Sequence, residues 1–196
     1  MPPRIFCLVG ATDDLSALPA LARVGIDGFQ VRAKGLPDAV LLGLVESVLD
    51  AVRPHGAVVV VNDRVDVALA AGADGVHLGR DDLPVGVVRR IARGLLVGRT
   101  CRDREQVRRA ASDGADYAGF GPVFDTASKA GLPAPLGTEA VRDAAGILPL
   151  VGIGGIDAAT AGDVRAAGAA SVAVIGAIWR QPDPLAAARE LVEAVA

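Results

Sequence analysis

Several short stretches of this chain set polar side chains where chemistry, rather than packing, would use them. In Gln30-Val31-Arg32-Ala33-Lys34, strand-like alternation puts Gln30, Arg32 and Lys34 on one side. That trio makes a poor core and a good anion clamp, with the guanidinium as a planar fork and the ammonium as a point charge. The alternative is a solvated strand end with Arg32 and Lys34 turned to water. Asn62-Asp63 and Arg80-Asp81-Asp82 end two further apolar runs. Carboxylates at neighbouring strand ends suit one hard cation, and Mg2+ is typically held by one or two carboxylates together with substrate phosphate oxygens. Asp63 and Asp82 are the pair expected to do this; Asp63 taken alone would equally serve as a cap for the helical stretch 65–71. Thr100 brings a hydroxyl to the end of another run, and the stretch 121–133 offers Thr126, Ser128 and Lys129 within four residues. A long loop bounded by Gly and Pro at such a place is where substrate-covering segments tend to lie. Gly152-Ile153-Gly154-Gly155-Ile156 and Ile175-Gly176-Ala177 add glycine amides that a phosphate can approach closely.

The elements that must position these residues are legible as a rhythm. Apolar, β-branched runs recur at 5–10, 28–32, 58–62, 75–79, 96–100, 117–121, 148–154 and 171–176, each the length of a strand buried on both faces. Between them the spacing turns helical. Residues 38–52 put Val40, Leu41, Leu44, Val45, Val48 and Leu49 on one stripe, 103–112 set charges opposite Val107, Ala110 and Ala111, and 184–195 form the last helix. Ala-Gly-Ala-Asp and its variants precede several strands, the glycine ending the helix before it. Eight strands alternating with eight helices, without linker or composition shift, predict an α/β protein: one (β/α)8 TIM-barrel domain over residues 1–196. The structural alternative is an open doubly wound sheet, but no GxGxxG follows the first strand. In such barrels the active site lies at the C-terminal strand ends, which is where the polar stretches fall.

Composition narrows the function classes. The chain has 196 residues, lean for a fold that usually needs ~250. Aromatic residues make up only 3 % and the net charge is −3, so neither the stacking platforms nor the basic field of a nucleic-acid binder is present. Cys7 and Cys101 form no CxxC and read as reduced, buried thiols, and two histidines cannot build a His-rich zinc site. The opening MPPRIFCLVG does not read as a signal peptide, and no apolar run approaches a membrane span. A cytoplasmic protein acting on small phosphorylated molecules, with no nucleic-acid or membrane partner, is expected.

In order along the chain, QVRAK, VNDRVDVALAAGADGVHLGRDDLP, VGRT, FGPVFDTASKAG, VGIGGI and VAVIGAI resemble the thiamine-phosphate synthase family. The resemblance covers nearly the whole chain. It implies a Mg2+-dependent transferase joining 4-amino-2-methyl-5-hydroxymethylpyrimidine diphosphate to 4-methyl-5-(2-phosphoethyl)thiazole, with diphosphate leaving first from a pyrimidine methylene cation. By matching motif, Gln30, Arg32, Lys34 and Asn62 would hold the pyrimidine diphosphate, and Asp63 and Asp82 would ligate Mg2+. Thr100 would bond the pyrimidine or the leaving group, and Lys129 would neutralise the departing diphosphate; with Arg32 these form the expected catalytic set. Thr126, Ser128, Gly155, Ile175 and Gly176 would bind the thiazole phosphate. The resemblance also suggests a homodimer.

This chain departs from the family's pattern at four of these places. Thr100 stands for Ser, Ser128 for Thr, Arg80 for Gln, and Gly176 for a Ser that donates to phosphate. The last change removes a donor worth ~1–3 kcal/mol to a buried charged group. The nearest rival is a thiazole tautomerase on the same barrel, which resembles this chain in the 121–133 loop but carries a His where Arg102 stands. Further rivals are a non-catalytic barrel holding a phosphorylated ligand and a phosphate-handling isomerase of tryptophan or histidine synthesis. Neither needs the Asp63–Asp82 pair.

Overall fold

A computed structural model of the chain describes residues 1–126, 131 and 133–196. Its strands are β1 (Ile5–Val9), β2 (Gly28–Val31), β3 (Val58–Asn62), β4 (Gly75–Leu78), β5 (Leu96–Cys101), β6 (Tyr117–Phe120), β7 (Leu150–Ile153) and β8 (Ser171–Val174). All neighbours are parallel, and β8 returns to β1 through Ile5 opposite Val172, so the sheet closes into a barrel and the open-sheet alternative falls. Around it run α1 (Leu18–Arg23), α2 (Asp38–Val52), α3 (Val65–Ala71), α4 (Val85–Ile91), α5 (Arg104–Ser112), α6 (Gly137–Ala144), α7 (Ala158–Ala166), α8 (Gly176–Trp179) and α9 (Pro184–Ala194). Among the described residues the helices number nine, not the expected eight, because a four-residue turn, α8, separates β8 from α9. None is long and apolar enough to cross a membrane.

The strands are mostly apolar because both faces are covered. One parity, including Cys7, Val31, Val59, Val61, Val76 and Val97, packs under the helices. The other parity fills the barrel, where Phe6, Leu8, Val60, Tyr117, Val151 and Ala173 form a separate inner cluster. Both thiols are buried, and burial pushes Cys101 up to about 12 and Cys7 higher still. One expectation about the helices fails. Val40 is 54 % exposed, because the buried stripe of α2 runs through Leu41, Val45, Val48, Leu49 and Val52 and Val40 lies to one side of it.

The turns before the strands, Gly-Ile-Asp at 25–27 and Gly-Ala-Asp at 72–74 and 114–116, have a second purpose beyond ending helices. Asp27, Asp74 and Asp116 each turn a carboxylate onto the first amides of the preceding neighbour strand. Asp27 accepts from Arg4 and Ile5 at 2.9 Å, Asp74 from Val59 at 2.8 Å and Asp116 from Val97 at 2.7 Å. Arg89 pairs with Asp116 and donates to the carbonyls of Gly114 and Leu95, locking this N-terminal rim. Strand amides that open the barrel therefore stay satisfied without another layer of structure.

Candidate active site

The other rim gathers the polar residues. Asn62, last in β3, stands in register with His77 of β4, and the ladder runs one step further, with the Asp63 amide donating to the His77 carbonyl at 2.8 Å. Asp63 then turns at φ 65°, a conformation that Asp tolerates better than most side chains. Asp63 does not cap α3: Arg64 occupies that place without a side-chain capping bond. Its carboxylate instead meets Lys34 Nζ at 2.9 Å. Asp82 reaches the same point from the loop after β4, its Oδ2 accepting from the Gly79 amide at 2.6 Å. A methyl at Gly79 would lie 3.0 Å from that oxygen and 3.7 Å from Asp63 Oδ1, so the glycine leaves the space in which the two carboxyls converge.

The electrostatics of the pair follow from that closeness. Burial pushes Asp63 up, but hydrogen bonds from Asp82 and Lys34 outweigh it and hold it below the ordinary carboxylate range. Burial pushes Asp82 up, and the neighbouring Asp63 charge adds to this. Two facing carboxyls and one lysine form a site short of positive charge. Arg99, on the outer face of β5, donates to the carbonyls of Arg80 at 3.0 Å and Leu83 at 3.3 Å, holding the loop that presents Asp82.

Gln30 is buried at the end of β2, while Arg32 and Lys34 lie beyond the strand. The Arg32 amide still pairs with the Val9 carbonyl at 2.7 Å, and its guanidinium has no carboxylate partner among the described residues. Strict alternation thus ends at Val31, and a turn, not a straight strand, brings Lys34 to Asp63. A cleft of ≈ 240 Å³ opens here, lined by Ala33, Lys34, Gly35, Asn62, Asp63 and Arg64.

Below this rim lies a chain of side chains that the sequence alone does not single out. His77 Nε2 lies 3.0 Å from Thr100 Oγ1, and Nδ1 lies 3.2 Å from the Tyr117 hydroxyl. The His77 and Tyr117 rings stack at 5.6 Å. Gly119 and Gly98 make room for them; a methyl at Gly119 would come within 2.6 Å of the imidazole. Burial pushes His77 down to about 4 and Tyr117 far up, so both are neutral near pH 7. A neutral imidazole donates at one nitrogen and accepts at the other, so the direction of the Thr100 hydroxyl proton is tied to the His77 tautomer. The available signal was parity: His77 shares its face of β4 with Gly75, the inward one.

The remaining residues come from the β6–β8 side. Beyond β6 the chain continues along β7, with Val123 donating to the Ile153 carbonyl and Phe124 to Gly154, each at 2.9 Å. Gly155, at φ 66°, packs against Phe124 and the Asp125 carbonyl, which brings it beside the segment carrying Thr126. Ile175 joins the inner cluster and Gly176 begins α8. Arg102 donates to the carbonyls of Gly121 at 3.4 Å and Ala134 at 2.9 Å, one on each arm of the 121–136 loop. Ser128 and Lys129 lie outside the described residues. Thus Asp63, Lys34 and Asn62 line one cleft, Asp82 meets Asp63 beside it, His77 and Thr100 pair below the rim, and the described thiazole-phosphate candidates Thr126, Gly155, Ile175 and Gly176 belong to the β6–β8 arc.

Comparison with known proteins assigns the chain to a family. Residues 5–178 match the family described as thiamine monophosphate synthase. The chain belongs to that family. A thiamine-phosphate synthase of Methanoculleus marisnigri is 47 % identical over 186 residues, covering 93 % of this chain and 87 % of that protein. The bifunctional ThiM/ThiE protein of Symbiobacterium thermophilum is 47 % identical over 194 residues, covering 97 % of this chain; the chain spans only 40 % of that protein's length. Among solved structures, thiamine phosphate pyrophosphorylase from Pyrococcus furiosus superposes with a TM-score of 0.89 at 31 % identity, covering 98 % of this chain and 95 % of that one. Membership places the chain among the transferases of thiamine biosynthesis.

Proposed function

We propose that this protein makes thiamine phosphate from 4-amino-2-methyl-5-hydroxymethylpyrimidine diphosphate and 4-methyl-5-(2-phosphoethyl)thiazole, releasing diphosphate. The observation that carries this reading is the convergence of Asp63, Asp82 and Lys34, in a member of the thiamine monophosphate synthase family. The carbon–oxygen bond to diphosphate breaks first. Its electron pair leaves with the diphosphate, and the pyrimidine methylene cation is captured by the thiazole nitrogen in a new carbon–nitrogen bond. No strong base is required, which agrees with a barrel lining whose histidine is buried and neutral at pH 7. The demands are charge stabilisation on the leaving group and alignment of two reactants.

The donor set fits Mg2+. Two carboxyls crowd together, and among the described residues no third His, Cys, Asp or Glu joins them, which leaves the remaining positions for phosphate oxygens and water. Mg2+ held by Asp63 and Asp82 would supply charge neutralisation to the diphosphate as it leaves. Lys34 and Arg32 reach the same anion from β2, and Gln30 and Asn62 orient it. Thr100, backed by His77, offers a hydroxyl to the pyrimidine part, and Lys129 belongs to the leaving-group side. Thr126, Ser128, Gly155, Ile175 and Gly176 receive the thiazole phosphate. The tautomerase alternative is disfavoured by Arg102, whose guanidinium is engaged with two loop carbonyls where that activity would need an imidazole.

Incubation of the purified protein with both substrates and Mg2+ tests this. Thiamine phosphate and diphosphate are expected in equal amounts, with none when either substrate is omitted. Thiazole isomerisation without coupling would overturn the reading.

A further inference from the structure

The arc formed by the ends of β6, β7 and β8 is built from glycine backbone, and its described loops carry little positive charge. Between residues 121 and 126, 133 and 137, 154 and 158, and 175 and 183, the only described cation is Arg180. A phosphate monoester seated in this arc is doubly charged, so backbone amides alone leave it under-neutralised.

Arg180 is placed to supply that charge. It follows α8 by one residue and sits one helical turn beyond Gly176, its amide donating to the Gly176 carbonyl at 3.3 Å. Side chains in a helical turn lean towards its N-terminal end, here towards the barrel mouth. The Arg180 stem does so: a methyl on Gly176 would lie 3.2 Å from Cδ, 3.6 Å from Nε and 3.7 Å from Cγ. The glycine that removes a hydroxyl donor from the end of β8 is therefore also what lets an arginine lie across it.

The turn beneath is anchored. The Trp179 indole donates to the Leu8 carbonyl of β1 at 2.7 Å, and the Gln181 side chain donates to the Gly176 carbonyl at 3.3 Å. Several other arginines are committed to structural partners, Arg53, Arg89 and Arg165 to backbone carbonyls and Arg64 to two aspartates. The exposed Arg180 guanidinium has no hydrogen-bond or ion-pair partner among the described residues.

We propose that Arg180 binds the phosphate of the thiazole substrate, its stem crossing Gly176 at the end of β8. This rests on the synthase reading above and adds to it a specificity residue for a phosphorylated, rather than a free, alcohol acceptor.

The test compares wild type with R180Q and R180K, varying thiazole phosphate at saturating pyrimidine diphosphate. Loss of a charge-assisted contact is expected to raise KM for thiazole phosphate by ~10–100-fold in R180Q, with partial rescue in R180K and kcat within ~2-fold of wild type. The thiazole alcohol, which lacks the phosphate, is expected to react equally well with wild type and R180Q. An unchanged KM for thiazole phosphate in R180Q overturns the proposal. So does an equal loss with the alcohol, which would mark a merely structural role. Calorimetric titration of thiazole phosphate into the two proteins reads the same contact without turnover. A wild type that makes no thiamine phosphate would contradict the synthase reading, while the ratio of the two binding constants would still decide the role of Arg180.

Discussion

The two rims of this barrel use aspartate in opposite ways. At the N-terminal rim Asp27, Asp74 and Asp116 each face backbone amides of a neighbouring strand, and Arg89 completes the last of them. Each of these three carboxylates has a partner made of the fold itself. At the C-terminal rim Asp63 and Asp82 face each other, with Lys34 paired to Asp63. One set of carboxylates is satisfied by backbone amides, while in the other two carboxyls crowd against each other. The difference lies in the partners rather than in residue type, and it separates a structural aspartate from a chemical one.

Substitution separates the rims further. The largest effect is expected at the C-terminal one: D63N or D82N should lower kcat/KM for thiamine phosphate formation by ~10²–10³-fold while the urea midpoint stays near wild type. A large loss of stability in these variants would erase the contrast. At the N-terminal rim the outcome should invert. D116A strips an acceptor from the Val97 amide and the partner from Arg89, and is expected to cost ~2–3 kcal/mol in urea unfolding with kcat/KM kept in the folded enzyme.

A smaller effect sits between the rims, at His77. Its imidazole titrates at about 4 in the fold against 6.5 when unperturbed. Above pH 6.5 neither state is protonated and this group costs nothing. As the pH falls towards 4 the unfolded chain takes up the proton first, so stability is lost across that window. Between pH 7.5 and pH 5 the loss should be ~2 kcal/mol by urea unfolding, and H77Q should remove that slope. Equal slopes in the two proteins would show that the imidazole is not held neutral by its buried contacts with Thr100 and Tyr117.

Much of this architecture was legible in the residues. The eight apolar runs, the helix Asp38–Val52 and the closing of a barrel follow from periodicity that tertiary packing does not override. Asp63 and Asp82 were legible because two carboxylates at adjacent strand ends have no place in a core. Other features were not. The carboxylates of Asp74 and Asp116 sit in the same Gly-Ala-Asp pattern that ends a helix, and only the register of the neighbouring strand reveals which amide each receives. His77 and Tyr117 were hidden because their use depends on glycines of other strands, Gly119 for His77 and Gly98 for Tyr117, leaving them room. Arg180 was hidden because its value depends on what is missing at Gly176.

The most direct test of the carboxyl pair at the C-terminal rim is the rate of thiamine phosphate formation by the wild-type protein as Mg2+ is raised from an EDTA baseline. No product is expected in EDTA, and the rate should rise and saturate with Mg2+. Full activity in EDTA would contradict the assignment of Asp63 and Asp82, and absence of product at every Mg2+ concentration would contradict the synthase itself.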